Sequence, residues 1–211
     1  KGFPLQEELR ALTLTLGSDA ANNLPPTPRS GGLTGSRRTS LRSRMTTATQ
    51  QVSNEFEFKE ALKLGDNTVI ELTKDIVLDN TIRILGITGV VINGNGFKVE
   101  GENAVRCFII DQGFQYDTIN GHVLTDIPPK GSAVFFNDLT ITNCNGGAVA
   151  VANSYASFTS CPFISNNNDD RAGAVKLTKS DASFTSCRFT SNNAGHGGAV
   201  FLSSSTASFT S

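Results

Sequence analysis

The sequence predicts an all-β solenoid of short strands wound into stacked coils, with a short helix capping its N-terminal end. Three observations predict it. The segments Ala156-Ser-Phe-Thr-Ser-Cys161, Ala182-Ser-Phe-Thr-Ser-Cys187 and Ala207-Ser-Phe-Thr-Ser211 nearly repeat, and Phe158, Phe184 and Phe209 are 26 and 25 residues apart. Gly146-Gly-Ala-Val149 recurs as Ala172-Gly-Ala-Val175 and Gly197-Gly-Ala-Val200 at the same step. Phe163-Ile-Ser-Asn166 recurs as Phe189-Thr-Ser-Asn192. Repeat units of alternating polarity, punctuated by Asn and Gly, bury their apolar faces only by stacking on one another.

The elements follow in chain order. Residues 1–50 read as a leader rich in Arg, Ser, Pro and Gly. Such a stretch buries little apolar surface, so disorder is expected. Residues 51–211 are expected to be the folded part. The chain starts at Lys1 and stops at Ser211 inside a repeat, which reads as a C-terminally incomplete piece, with Met45 as an alternative internal start.

Order is expected from near Val52. Glu55 to Leu64 predicts a helix with Phe58, Ala61 and Leu62 on one face, capped by Ser53 or Asn54 and ended by Gly65-Asp66-Asn67. Short β-rich runs follow at Thr68–Leu72, Asp75–Leu78, Thr81–Ile84, Val90–Ile92, Phe97–Val99 and Phe108–Ile110, each bounded by Gly, Asn or Asp. The helix then serves as a lid on the first coil, which would otherwise expose apolar core and unpaired backbone. Asp111 to Lys130, with Tyr116, His122 and the pair Pro128-Pro129, predicts a long loop leaving the stack.

Within each repeat the alternation assigns faces. Ala156 and Phe158 point inward, while Ser157 and Thr159 point to water. Phe158, Phe184 and Phe209 should then form one interior file. Phe136 to Cys144 fits the same frame, with Leu139 in the place of Cys161, Ile141 in that of Phe163 and Cys144 in that of Asn166. Asn166 and Asn192 are expected as a structural corner ladder, and the repeated glycines as turn positions. Cys161 and Cys187 should stack as buried free thiols, an interlayer disulfide being the alternative. No Cys-x-x-Cys pair occurs among Cys107, Cys144, Cys161 and Cys187, so no metal site and no cofactor are expected.

Val91-Ile-Asn-Gly-Asn-Gly-Phe97, followed by these coils, resembles the opening of the right-handed parallel β-helix proteins of the pectate-lyase-like superfamily. The paired Gly-Gly-Ala-Val and Phe-x-x-Asn motifs resemble the repeats of chlamydial polymorphic outer-membrane proteins. The first resemblance implies a right-handed parallel β-helix over residues 52–211. The second implies a surface or secreted module with a structural or adhesive role, binding a polysaccharide or another cell-surface ligand.

A second reading is catalytic. Asn168-Asp169-Asp170 precedes one strand, and Gly195-His196-Gly197 precedes the strand stacked on it. This resembles the Asp-Asp and Gly-His-Gly motifs of polygalacturonase-type glycoside hydrolases. That resemblance implies Asp169, Asp170 and His196 as catalytic residues, two carboxylates acting as acid and base on a glycosidic bond. Register would set His196 beside Arg171. The family's further Asp, one coil earlier in Asn-Thr-Asp, is replaced here by Asn143-Cys-Asn145. A calcium-dependent lyase would need more converging acids than Asp169, Asp170 and Asp181. A third reading is the outward array of Ser157/Thr159, Ser183/Thr185 and Ser208/Thr210, a regular hydroxyl surface able to order water or ice.

Charge narrows the partners. The whole chain carries −1, but residues 51–211 hold 11 basic and 16 acidic residues, a net of −5, against five Arg and no acid in residues 20–54. An acidic folded part argues against nucleic acid as partner. No apolar run approaches the roughly 18–20 residues of a membrane span. Ala11 to Leu16 is short, alternates with Thr and does not read as a signal peptide. An extracellular or cell-surface location is expected from the resemblance alone.

Overall fold

The structure is a computed structural model that describes residues 49–113 and 131–211 in full, and 117–119 and 122–124 by their backbone. The chain divides between Ser43 and Arg44, and all described residues belong to the second unit. Residues 1–48 of the leader, Tyr116 and the pair Pro128-Pro129 lie outside the described residues.

Short alternating strands cannot bury an apolar face alone, and here they do so by winding into a parallel β-helix. Among the described residues three parallel sheets run along the stack. The first contains Thr49–Val52, Val69–Leu72, Thr88–Asn93, Ala133–Asn137, Tyr155–Thr159, Asp181–Thr185 and Thr206–Thr210. The second contains Ile76–Val77, Lys98–Glu100, Thr140–Thr142, Pro162–Ile164 and Arg188–Thr190. The third contains Ile82–Leu85, Phe108–Asp111, Val149–Ala152, Val175–Thr178 and Val200–Ser203. The first strand, Thr49–Val52, begins before the expected start of order. It carries one apolar residue, Val52, and is a strand because it pairs with Val69–Leu72.

The circuit length varies along the stack. Phe136 pairs with Phe158, a step of 22 residues, whereas Phe158, Phe184 and Phe209 are 26 and 25 apart. The longer circuits contain an extra corner pair, Asn167–Arg171 with Asn193–His196, between the second and third sheets. In the shorter circuit that corner is a single bridge, Asn145 to Asn167. The long excursion after Asp111 includes an antiparallel hairpin, Asp117–Ile119 with His122–Leu124.

The predicted file is present, with Phe158 and Phe184 buried and Phe209, on the last strand, stacked on Phe184 but 59% exposed. Ile70, Ile92, Phe136, Phe158, Phe184 and Phe209 stand in register along the first sheet. The rings of Phe158 and Phe184 stack at 5.1 Å and 7°, and those of Phe163 and Phe189 at 4.9 Å and 4°. Phe163 meets Phe158 edge-on at 5.3 Å, which locks the first and second sheets together.

The helix runs from Glu55 to Leu62 and buries Phe58, Ala61 and Leu62 as expected. Of the two proposed caps Asn54 is the cap, and Ser53 before it donates to the Glu57 side chain. Asn54 Oδ1 accepts the Glu57 N–H at 2.9 Å, and the Glu57 carboxylate accepts the Ser53 N–H at 2.7 Å. The Phe58 ring rests on Phe108 at 6.0 Å, which closes the first coils. The Glu55 carboxylate accepts the N–H groups of Asp79 at 2.6 Å and Asn80 at 3.1 Å, tying the helix to a turn below it. Burial raises the Glu55 carboxyl, but Lys59 and these N–H groups outweigh it and hold it below the usual carboxylate range.

The corners explain the Gly-rich motif. Its first residue is left-handed in every copy, with φ of 78° at Gly146, 61° at Ala172 and 63° at Gly197. Ala172 bears the Cβ penalty there, about 1–2 kcal/mol. The second residue has no room for a side chain, since a Cβ on Gly173 would lie 2.4 Å from the Gly198 carbonyl oxygen. Beside it runs the Asn ladder. The Asn166 amide, fully buried, donates to Asn192 Oδ1 at 3.0 Å and to Ile141 O at 3.0 Å, and its oxygen accepts the Cys144 N–H at 3.0 Å.

The cysteines divide in a way the sequence reading missed. Cys107 and Cys144 form a disulfide with Cα atoms 5.6 Å apart. Cys161 and Cys187 are free, as expected. The Cys161 thiol lies 3.5 Å from Phe136 O and the Cys187 thiol 3.3 Å from Phe158 O, each carbonyl belonging to the preceding coil. The neighbouring Cys161 thiol lowers the Cys187 thiol to about 7.

Candidate binding surface

Whatever touches this solenoid meets outward side chains set in straight columns by the strand register. On the first sheet one outward column reads Val69, Val91, Phe135, Ser157, Ser183 and Ser208. The next reads Glu71, Asn93, Asn137, Thr159, Thr185 and Thr210. With about 4.8 Å per layer the strip extends about 24 Å.

Two aromatic rings stand on this face. Phe135 and Tyr155 are each 36% exposed, and their centroids are 6.0 Å apart at 58°. The Tyr155 hydroxyl lies 3.1 Å from Ser183 Oγ, and Ser183 Oγ–H donates to Ser157 Oγ at 2.8 Å. The parallel column is an amide chain. Asn137 Nδ2 donates to Asn93 Oδ1 at 3.0 Å, and Asn93 Nδ2 donates to Glu71 Oε1 at 3.1 Å. Each bond fixes the rotamer of an otherwise mobile polar group, so the strip is set before any ligand arrives. The hydroxyl array expected from the repeats lies on the same face, and part of it bonds to itself.

The corner holds the residues of the catalytic reading. Asp169, Asp170 and Arg171 lie on one corner strand, and His196 on the other pairs with Arg171, as expected. The pairing is irregular between Asn168 and Arg171, which throws Asp169 and Asp170 outward. All four side chains are exposed. The Asp170 carboxylate is 3.6 Å from Arg171 Nε, and the Arg171 guanidinium lies over the Phe201 ring at 5.1 Å. Among the described residues no hydrogen bond or ion pair joins either aspartate to His196. Asn168 is a hinge of the turn, its amide donating to Gly146 O at 3.2 Å and its oxygen accepting the Asp170 N–H at 3.1 Å.

A family model for pectate lyase-like adhesive domains matches residues 49–190, which is 142 of the 211 residues. The chain belongs to that family. No curated protein and no solved structure matches it. The match spans five of the six layers of the outward columns, including Glu71, Asn93, Phe135 and Tyr155, and it also covers Asp169 and Asp170 but not His196.

An adhesive domain needs exposed groups held still, and the outer wall of the first sheet offers such groups. Phe135 and Tyr155 were missed as surface residues in the sequence. The signal was present: once Phe136 aligns with Phe158, Phe135 takes the outward place of Ser157.

Proposed function

We propose that this adhesive domain works at a cell surface or outside the cell and holds a polysaccharide or other surface glycan on the outer face of its first sheet, without cleaving it. One observation carries the reading: an exposed Phe135–Tyr155 pair beside a prearranged column of amides and hydroxyls. A pyranose ring has an apolar C–H face and a rim of hydroxyls. Aromatic faces take the former, and Asn, Thr and Tyr hydrogen-bonding groups the latter. The Cys107–Cys144 disulfide suits an oxidising compartment. The joint recurrence of Gly-Gly-Ala-Val and Phe-x-x-Asn, similar to the repeats of chlamydial outer-membrane proteins, supports the same location.

The test is retention of the protein on immobilised xylan, amylose and pectin. The Phe135→Ala/Tyr155→Ala double variant should lose about tenfold in retention on the polysaccharide that the wild type binds, each ring contributing about 0.5–1.5 kcal/mol. Its far-UV circular dichroism should be unchanged, because both rings point outward. Equal retention by variant and wild type would sink the assignment of this face.

The corner of Asp169, Asp170 and His196 is read as a charged turn. Reducing-sugar release from polygalacturonate is therefore expected to be the same, at background, for wild type and Asp170→Asn. Release by the wild type that the variant loses would make this corner an active site instead.

A further inference from the structure

The N-terminal helix does more than close the stack. It leans over the first strand of the third sheet, Ile82–Leu85, and the two elements bound a cavity of 650 Å³. One wall is the helix with Lys59 and Lys63, and the other is the sheet with Arg83 and Leu85. Leu62 and Ile87 form the apolar floor. This volume falls within the roughly 300–1,000 Å³ of sites that hold small molecules or peptide segments.

Charge and apolar surface are both present here. Lys59 pairs with Glu55, and Lys63 with Glu60, within the helix. The Lys63–Glu60 pair is exposed and of the weak kind, about 0.3–0.5 kcal/mol, so Lys63 can turn to a better anion; Lys59 is held by the largely shielded Glu55 and offers only its remaining ammonium protons. Arg83 is exposed, and among the described residues no carboxylate pairs with it. Leu85 beside it is 47% exposed. Three cations around an apolar floor stand out on a folded part that is otherwise acidic.

We infer that this groove binds an extended acidic–aliphatic peptide segment of a partner protein. Lys59 and Lys63 are one helical turn apart, about 6 Å along the axis at 1.5 Å per residue. Alternate residues of an extended peptide are about 6.8 Å apart and point the same way. Carboxylates at alternate positions therefore meet the lysine wall, while the intervening aliphatic side chains turn to Leu85 and Ile87. Arg83, on the Leu85 wall, adds positive potential across the groove. An acidic polysaccharide offers the charges without the aliphatic groups, and an anionic membrane is too flat to enter the cavity. The Glu55 bonds to Asp79 and Asn80 hold the helix against the turn that ends the groove, so its width is set in advance. This site lies on a different sheet from the Phe135–Tyr155 face, and the inference does not depend on the glycan reading.

The test uses the full chain and a fluorescein-labelled peptide of alternating Glu and Leu, with its Gln–Leu counterpart, in fluorescence anisotropy. Binding of the Glu–Leu peptide is expected to weaken roughly tenfold for Gln–Leu, roughly tenfold for Arg83→Glu, and further in 0.5 M salt. Leu85→Ser should also weaken it, which a purely ionic contact would not. Polysaccharide retention should be the same in wild type and Arg83→Glu, so a failed glycan reading and a failed groove reading give different results. The inference is overturned if the Gln–Leu peptide binds equally, if Arg83→Glu has no effect, or if oligogalacturonate or phosphatidylserine vesicles bind the groove while the peptide does not.

Discussion

Replacing Phe158 with alanine is expected to lower the unfolding free energy by about 3–5 kcal/mol, the range for removing a fully buried aromatic ring. Phe158 has no exposed surface and touches three other rings, Phe136 at 4.9 Å, Phe184 at 5.1 Å and Phe163 at 5.3 Å. The cavity cannot collapse, because the strands on either side are held in register by their own hydrogen bonds. A solenoid is stabilised mainly by contacts between neighbouring coils, so the damage should spread along the axis rather than stay local. Urea unfolding gives the loss of stability, and hydrogen exchange should show faster exchange across residues 155–211. Phe135→Ala, one residue from the Phe158 partner Phe136 but facing outward, should cost less than about 1 kcal/mol. Similar losses for the two variants would mean that the faces are wrongly assigned.

The second large effect concerns the Cys107–Cys144 bond. It closes a loop with a sequence separation of 37 residues. Chain-entropy arguments give about 4 kcal/mol for a loop of that size, within a general range of about 2–5 kcal/mol for a native disulfide. The Cys107→Ala/Cys144→Ala double variant should therefore lose about that much in urea unfolding. Both residues are fully buried, so a reductant should act slowly on the folded protein and quickly after unfolding. Alkylation under denaturing but non-reducing conditions should modify two thiols per chain, Cys161 and Cys187, and four after reduction. Four without reduction would rule the bond out.

Much of this architecture was legible in the residues. The 25–26-residue step located the Phe file, the Asn ladder and the Gly-rich corners, since identical layers place identical demands on each position. The helix was legible from Asn54 and the spacing of Phe58, Ala61 and Leu62. Its end was not, because Leu64 continues the apolar pattern but lies past the last turn and is 54% exposed. The strand Thr49–Val52 was hidden because an edge strand needs no apolar alternation when a neighbour supplies its hydrogen bonds. Of the proposed corner, the pairing of Arg171 with His196 followed from the repeat. The outward throw of Asp169 and Asp170 came from an irregular pairing that no spacing announces.

The sequence by itself determined the periodic core, because a side chain's inward or outward place in a stacked strand depends on parity and period alone. Only the tertiary structure decided which distant groups meet. Cys107 finds Cys144 rather than another thiol, Phe135 finds Tyr155 on the outer wall, and Lys59, Lys63 and Arg83 converge on one groove. These meetings depend on the length of each circuit and on how the helix leans against the third sheet. Both are set by the sum of packing contacts around the whole coil, and no local run of residues encodes such a sum.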